Sequence, residues 1–267
     1  MSGGRLGRRG LTQLREQLSE RDLAVVGQVA QLKLMSGRQI ERLHFTVEQH
    51  ATALTAARTC RRVLERLVSD RLLVRLDRRV GGVRAGSASF VYGLGPVGQR
   101  VLGLDGPRRR FREPTATFVA HTLAISELVV MLTLGDRRGE FELLELEAEP
   151  ICWRPLGSQQ LRPDLFVSLG AGDYEYRYFI EVDLGTESLP RLIAKCQTYD
   201  AYYRTGAEQQ KHGIFPRVLW IMHDEQRAAR LRDAIERSRA LSPELFVVTT
   251  NDVVFAVLID QVLRGSS

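Results

Sequence analysis

A break in both hydrophobic period and charge sign near residues 103–115 constrains this chain more than any other feature. Before it, apolar residues recur at steps of three and four; beyond it, alternating runs of period two are interleaved with helical ones. Residues 1–115 hold 22 Lys+Arg against 10 Asp+Glu, a net +12, whereas the remainder holds 16 against 22, a net −6. Two periodicities and two signs predict two domains with separate tasks. The segment between them, Gly103 to Pro114 (GLDGPRRRFREP), follows neither period and carries four arginines. It predicts a basic linker over 104–114, preceded by a domain over 19–103 and a loose basic tail over 1–18, and followed by a domain over 115–267.

In the first domain Ser19, with Asp22 three residues on, makes a capping-box start to a helix reaching about Leu34. Ser36 caps a second, short helix through Ile40 and Leu43. A third begins near Ala51 and buries a stripe of Ala53, Ala57, Cys60, Leu64 and Leu67, which leaves Thr55, Arg58, Thr59, Arg62 and Arg66 on its other face. Leu72 to Leu76 and Ser89 to Leu94, joined by DRRVGGVRAGS, follow as a hairpin. Three short helices and a hairpin form the order of a winged helix-turn-helix, in which the third helix enters the major groove of DNA. Arginine can take a guanine edge there and threonine can meet a thymine methyl, so Thr55, Arg58, Thr59 and Arg62 are the expected readers. Arg78, Arg79 and Arg84 on the wing are expected on phosphate or in the minor groove. A basic module of this size suits double-stranded DNA, because each neutralised phosphate releases condensed counterions.

The second domain predicts a helix over 115–134 with one acid, Glu127, in an apolar run. Strands follow over 141–147, 161–169 and 174–183, a helix over 189–204 capped by Ser188, a buried strand over 217–222, a helix over 225–238, a strand over 245–249 and a short terminal helix. The sum is α/β with a mixed sheet flanked by helices. Along the strand 174–183 the period of two puts Glu181 and Asp183 on one face. With Asp164 at the same end, three carboxylates would share a cleft, a crowding that a proton or a cation relieves. Magnesium suits such hard oxygen ligands, and held there it can activate water against phosphate. Glu127 could add a ligand or hold a metal-bound water, and Lys195 could orient the water or steady the phosphate.

The order of these elements, with R-P-D at Arg162 to Asp164 and F-I-E-V-D at Phe179 to Asp183, resembles the core of the PD-(D/E)xK nucleases. With a winged helix in front, and with E-V-D-L-G-T-E at Glu181 to Glu187 ahead of R-L-I-A-K-C-Q-T-Y at Arg191 to Tyr199, the chain is similar to the bacterial replication-relaxation family. That resemblance implies a DNA-binding protein of plasmids or mobile elements acting in replication or DNA relaxation. It makes Asp164 and Glu181 the Mg²⁺ ligands and Lys195, moved onto the following helix, the lysine of the signature. Asp183 stands where that pattern has lysine, which leaves open a second reading, a non-catalytic accessory or transcription regulator whose nuclease-like domain serves assembly.

Other chemistries find little support. The histidines are scattered, no GxxxxGK or GxSxG is present, and Tyr199, Tyr202 and Tyr203 at helical spacing are expected to pack rather than attack. Cys60, Cys152 and Cys196 are too widely spaced for a disulfide framework or a zinc site and are expected as buried thiols. No run approaches the roughly 18 unbroken apolar residues of a membrane span, so no membrane partner and a cytoplasmic location are expected. The acidic second domain is also a candidate surface for a homodimer or for another protein of a mobile element.

Overall fold

The computed structural model describes residues 7–46, 50–80, 89–104 and 114–265, with backbone alone at 77–80 and 260–265. Its secondary structure is mixed α/β, and its contacts divide the chain into two units, Met1–Val130 and Met131–Ser267.

Unit 1 starts with helix α1 (Arg8–Gln17), inside the segment expected as a loose tail. No residue of α1 is buried, but Leu11 and Leu14 are half-buried and the helix packs on α5 (Pro96–Val101), a helix that the sequence pattern does not announce. Helix α2 (Glu20–Leu32) begins as expected: Ser19 Oγ accepts the Asp22 amide at 3.2 Å and Asp22 Oδ2 accepts the Ser19 amide at 2.9 Å. The other Asp22 oxygen takes Arg66 Nη2 at 2.6 Å. Burial pushes the Asp22 carboxyl up, but the bonds from Arg66 and Ser19 outweigh it and hold the group below the usual carboxylate range.

A three-residue strand β1 (Leu34–Ser36) leads into α3 (Gly37–His44) and then α4 (Ala53–Ser69). Strands β2 (Leu73–Val80) and β3 (Ser89–Leu94) complete an antiparallel sheet ordered β1-β3-β2. Gly95 and Gly98 explain why α5 can press on the turn before β2, since a Cβ on either would lie 2.2 Å from a backbone carbonyl, of Arg71 or Leu72. Ser36 and Gln39 form a second capping box at α3. Ser36→Ala is expected to lower stability by about 1 kcal/mol, the usual worth of an N-cap, read as an earlier urea midpoint with unchanged slope.

Helix α6 (Ala116–Arg137) runs through the division between the units, which falls after Val130 rather than in the expected linker, most of which lies outside the described residues. In unit 1 its Val119 and Leu123 join Leu34, Leu76 and Val91 in one apolar cluster, and Ser126 Oγ donates to the Leu34 carbonyl at 2.7 Å. This helix is long and apolar enough to cross a membrane by composition, with 56% of that window buried inside the protein. Apolarity all round a helix is what burial on several sides requires.

Unit 2 is built on a five-stranded sheet ordered β10-β9-β8-β7-β4, with β4 (Glu142–Ala148), β7 (Leu165–Ala171), β8 (Tyr174–Asp183), β9 (Arg217–Met222) and β10 (Phe246–Thr250). The last three run parallel, and β8, β7 and β4 pair antiparallel. A small hairpin, β5 (Arg154–Leu156) and β6 (Gln159–Leu161), takes the start of the segment expected as one strand over 161–169. Helices α7 (Leu189–Tyr203), the short α8 (Ala207–His212) and α9 (Glu225–Arg237) follow β8 and β9, and α10 (Val254–Gly265) packs on β7, β8 and β10.

The register places Phe166 opposite Phe179 and Phe179 opposite Val218. These side chains form one core with Trp220 and Met222, covered by Leu192, Cys196, Tyr199 and Tyr202 of α7 and by Ala228, Leu231 and Ile235 of α9. Tyr178, Ile180, Leu219 and Ile221 occupy the alternate positions and are equally buried. Because β8 and β9 are parallel, their carboxyl ends and the first turns of α7 and α9 gather at one end of the sheet.

Candidate functional site

Two groups of residues stand out, one in each unit. In unit 1, Thr52 caps α4 by accepting the Thr55 amide at 3.1 Å. Ala56, Cys60, Leu64 and Leu67 form the buried stripe, while Ala53, expected in it, is exposed because it stands in the first turn beyond the edge of the core. The opposite face carries Thr55, Arg58 and Arg62 exposed and Thr59 half-buried. Arg66, on the same side, is drawn back onto Asp22. A groove of about 950 Å³ adjoins α4, lined among others by Arg38, Arg42, Arg61, Leu54 and Tyr92. On the expected wing, Arg78 and Arg79 are described by backbone alone and Arg84 lies outside the described residues.

In unit 2, Glu181 and Asp183 share one face at the end of β8, as the period of two requires. Asp164, just before β7, is stitched to the neighbouring strand: its amide donates to the Ile180 carbonyl at 3.0 Å and its Oδ2 accepts the Val182 amide at 2.8 Å. That brings its charge beside Glu181. Glu181 is 3% exposed, and two donors from α7 meet it, Tyr199 Oη on Oε1 at 2.7 Å and Lys195 Nζ on Oε2 at 3.2 Å. Burial, followed by the negative charge of Asp164, pushes the Glu181 carboxyl from 4.5 to about 7, although Lys195 and Tyr199 pull the other way. Burial draws the Lys195 ammonium down, but Glu181, Glu187 and Asp164 together outweigh it and hold it above its ordinary value. Lys195 also lies 3.4 Å from Glu187 Oε1 and 5.8 Å from the centre of the Trp220 ring.

Asp183 has a different partner. Arg227, in the first turn of α9, donates through Nε to Asp183 Oδ2 and through Nη2 to the Glu187 carbonyl. Asp183 Oδ1 and Glu187 Oε2 are buried with no hydrogen-bond partner among the described residues. The structure therefore gathers Asp164, Glu181 and Lys195, and adds Tyr199, Asp183, Glu187 and Arg227. A carboxyl that titrates near neutrality beside an ammonium is suited to general acid–base work.

Glu127 has partners of its own. It lies in unit 1, where its Oε2 accepts Gln39 Nε2 at 3.0 Å and its Oε1 accepts Arg42. The helix presents this acid toward α3, a direction that its isolated position in an apolar run could not reveal. Glu187 and Arg227 escaped sequence reasoning because their partners are distant in the chain: Arg227 and Asp183 are 44 positions apart. The one available signal was an arginine three residues after the helix-capping Asp224, at the carboxyl end of a buried strand. The three cysteines are free and buried, as expected.

Compared with known proteins, residues 27–218 match the family model described as replication-relaxation, a stretch that covers α4 and the carboxylate cluster and ends before Arg227. No curated protein and no solved structure matches the chain.

Proposed function

The chain belongs to the replication-relaxation family, and from that premise we propose that it acts in plasmid replication or relaxation, gripping duplex DNA of a plasmid or mobile element through unit 1 and cutting or nicking a phosphodiester at the carboxylate cluster of unit 2. The observation that carries the reading is the exposed Thr55, Arg58 and Arg62 face of α4, set opposite a buried stripe and followed by the β2–β3 hairpin. This order supports the winged helix-turn-helix reading, and a rigid helix that displays cations is what reading a groove and fixing phosphates requires.

For the chemistry, Mg²⁺ fits the donor set to this extent: Asp164 and Glu181 crowd two negative charges, and a cation is their natural relief. Among the described residues no three or more His, Cys, Asp or Glu form a metal-holding group, so the ion would rest on two carboxylates completed by water or phosphate, a usual arrangement for magnesium. When bound it would supply positive charge to the phosphate and acidify a water. The chain's own part is then to orient and to move protons. Lys195 keeps an ammonium at the cluster, Glu181 holds a proton near neutral pH that a bound cation would displace, and Tyr199 fixes the carboxylate from the buried side.

A second reading is favoured by two observations: both Glu181 oxygens already receive protein donors, and Asp183 stands in place of the signature lysine. On that reading the cluster is structural and unit 2 serves assembly. Both readings require DNA binding, which anisotropy of a labelled duplex tests. Arg58→Ala with Arg62→Ala is expected to weaken binding about tenfold or more at moderate salt. Removing two cations from the gripping face is also expected to flatten the log K against log salt plot. An unchanged slope and affinity would remove α4 as the gripping element.

A further inference from the structure

Asp183 is the least explained side chain of unit 2. Its side chain is 2% exposed, yet only Oδ2 is engaged, by Arg227, while Oδ1 has no partner among the described residues. Buried carboxylate oxygens are ordinarily satisfied, and one that is not points to a ligand or to a second arrangement. Arg227, for its part, is at the rim, with 23% of its side chain exposed. Its fork spans Asp183 and the Glu187 carbonyl, and the same planar fork matches a phosphodiester equally well.

We propose that Arg227 guards Asp183: in the free protein it holds this carboxylate away from cations, and when a DNA phosphate draws the guanidinium off, Asp183 becomes a third carboxylate beside Asp164 and Glu181. Strand alternation already puts Asp183 on the face of Glu181, so no refolding of β8 is needed, only release of one side-chain fork. Among the described residues no three carboxylates form a cation-holding group, as the guarded state requires with Asp183 engaged by Arg227. The guard accounts for an acid at the position where the nuclease pattern has lysine: Asp183 and Arg227 together carry no net charge until DNA separates them. Arg227 lies on α9, beyond the stretch that matches the family model. The inference rests on the reading that the cluster takes DNA and a divalent cation.

Mn²⁺ binding to the full chain, read from the free-ion paramagnetic resonance signal, tests it without any turnover. Without DNA, Arg227→Gln is expected to bind Mn²⁺ about tenfold more tightly than the wild type, and Arg227→Gln with Asp183→Asn to return to the wild-type value. Arg227→Lys, which keeps the charge but loses the fork, is expected about threefold tighter and serves if the glutamine variant does not fold. Added duplex, after subtraction of its own Mn²⁺ uptake, is expected to tighten the wild type and leave Arg227→Gln nearly unmoved. Wild-type and Arg227 variants of equal Mn²⁺ affinity would overturn the guard. Wild type binding Mn²⁺ as tightly without duplex as with it would overturn the guard while leaving the cation reading intact. No Mn²⁺ bound by any variant, with or without duplex, would overturn both.

Discussion

Incubated with supercoiled DNA and Mg²⁺, the Glu181→Ala chain is expected to nick at least about a hundredfold more slowly than the wild type, because losing one group that supports transition-state charge costs ~10²–10³ in rate. Its duplex affinity is expected to stay within about twofold, since the proposed grip lies on α4 of unit 1. The size of the effect follows from what Glu181 touches. Its two oxygens meet Tyr199 and Lys195, and the charge of Asp164 stands beside it, so deleting the carboxylate removes a proposed metal ligand and strands the ammonium. Lys195→Ala is expected to follow in the same direction while leaving the carboxylate pair to repel unopposed. Wild-type protein that cuts no faster in Mg²⁺ or Mn²⁺ than in EDTA, or a Glu181→Ala chain that cuts as fast as wild type, would transfer unit 2 to the assembly reading.

The second large effect is on stability, and it needs no DNA. Glu181 binds its proton more tightly folded, near pH 7, than in an unfolded chain, near 4.5. A carboxyl raised in this direction makes a contribution that is fully present below pH 4.5 and is lost as pH climbs through about 7. At ~1.4 kcal/mol per pH unit of difference, unfolding measured in EDTA should show the wild type losing on the order of 3 kcal/mol between pH 4.5 and 8 from this group. Glu181→Gln has nothing to titrate there and is expected to escape that loss. It should therefore gain on the wild type as pH rises, even if it is the less stable of the two at pH 5. Curves of the two proteins that run parallel across this window would show that Glu181 is ionised throughout, and would remove the case for it as a proton carrier near neutrality.

Local chemistry made much of the fold legible. Ser19 with Asp22, and Ser36 ahead of its helix, announced the starts of α2 and α3 because a cap is written within four residues. The bounds of β8 and β9 followed from alternation and from an unbroken apolar run. Elements whose reason for existing lies elsewhere in the chain were not legible: α1 is held by α5, and α5 by glycines that let it touch the turn before β2. The candidate site divides in the same way. Glu181 and Asp183 on one face follow from a strand's period, and Asp164 at the same end from the order of strands. The bonds of Glu127 to Gln39 and Arg42 were not legible, because helix period says which residues share a face but not what that face will meet. Arg227 left only the trace of an arginine three residues after a helix-capping Asp224, since an ion pair across 44 residues leaves no spacing to read.

The claim on which the rest depends is that α4 lays Arg58 and Arg62 against duplex DNA. Arginine modification by phenylglyoxal, followed peptide by peptide in the full chain with and without duplex at low salt, tests it most directly. Strong protection of Arg58 and Arg62 by duplex, reversed as salt is raised, is the predicted result. Equal modification of both arginines in the presence and absence of DNA that is demonstrably bound would contradict it.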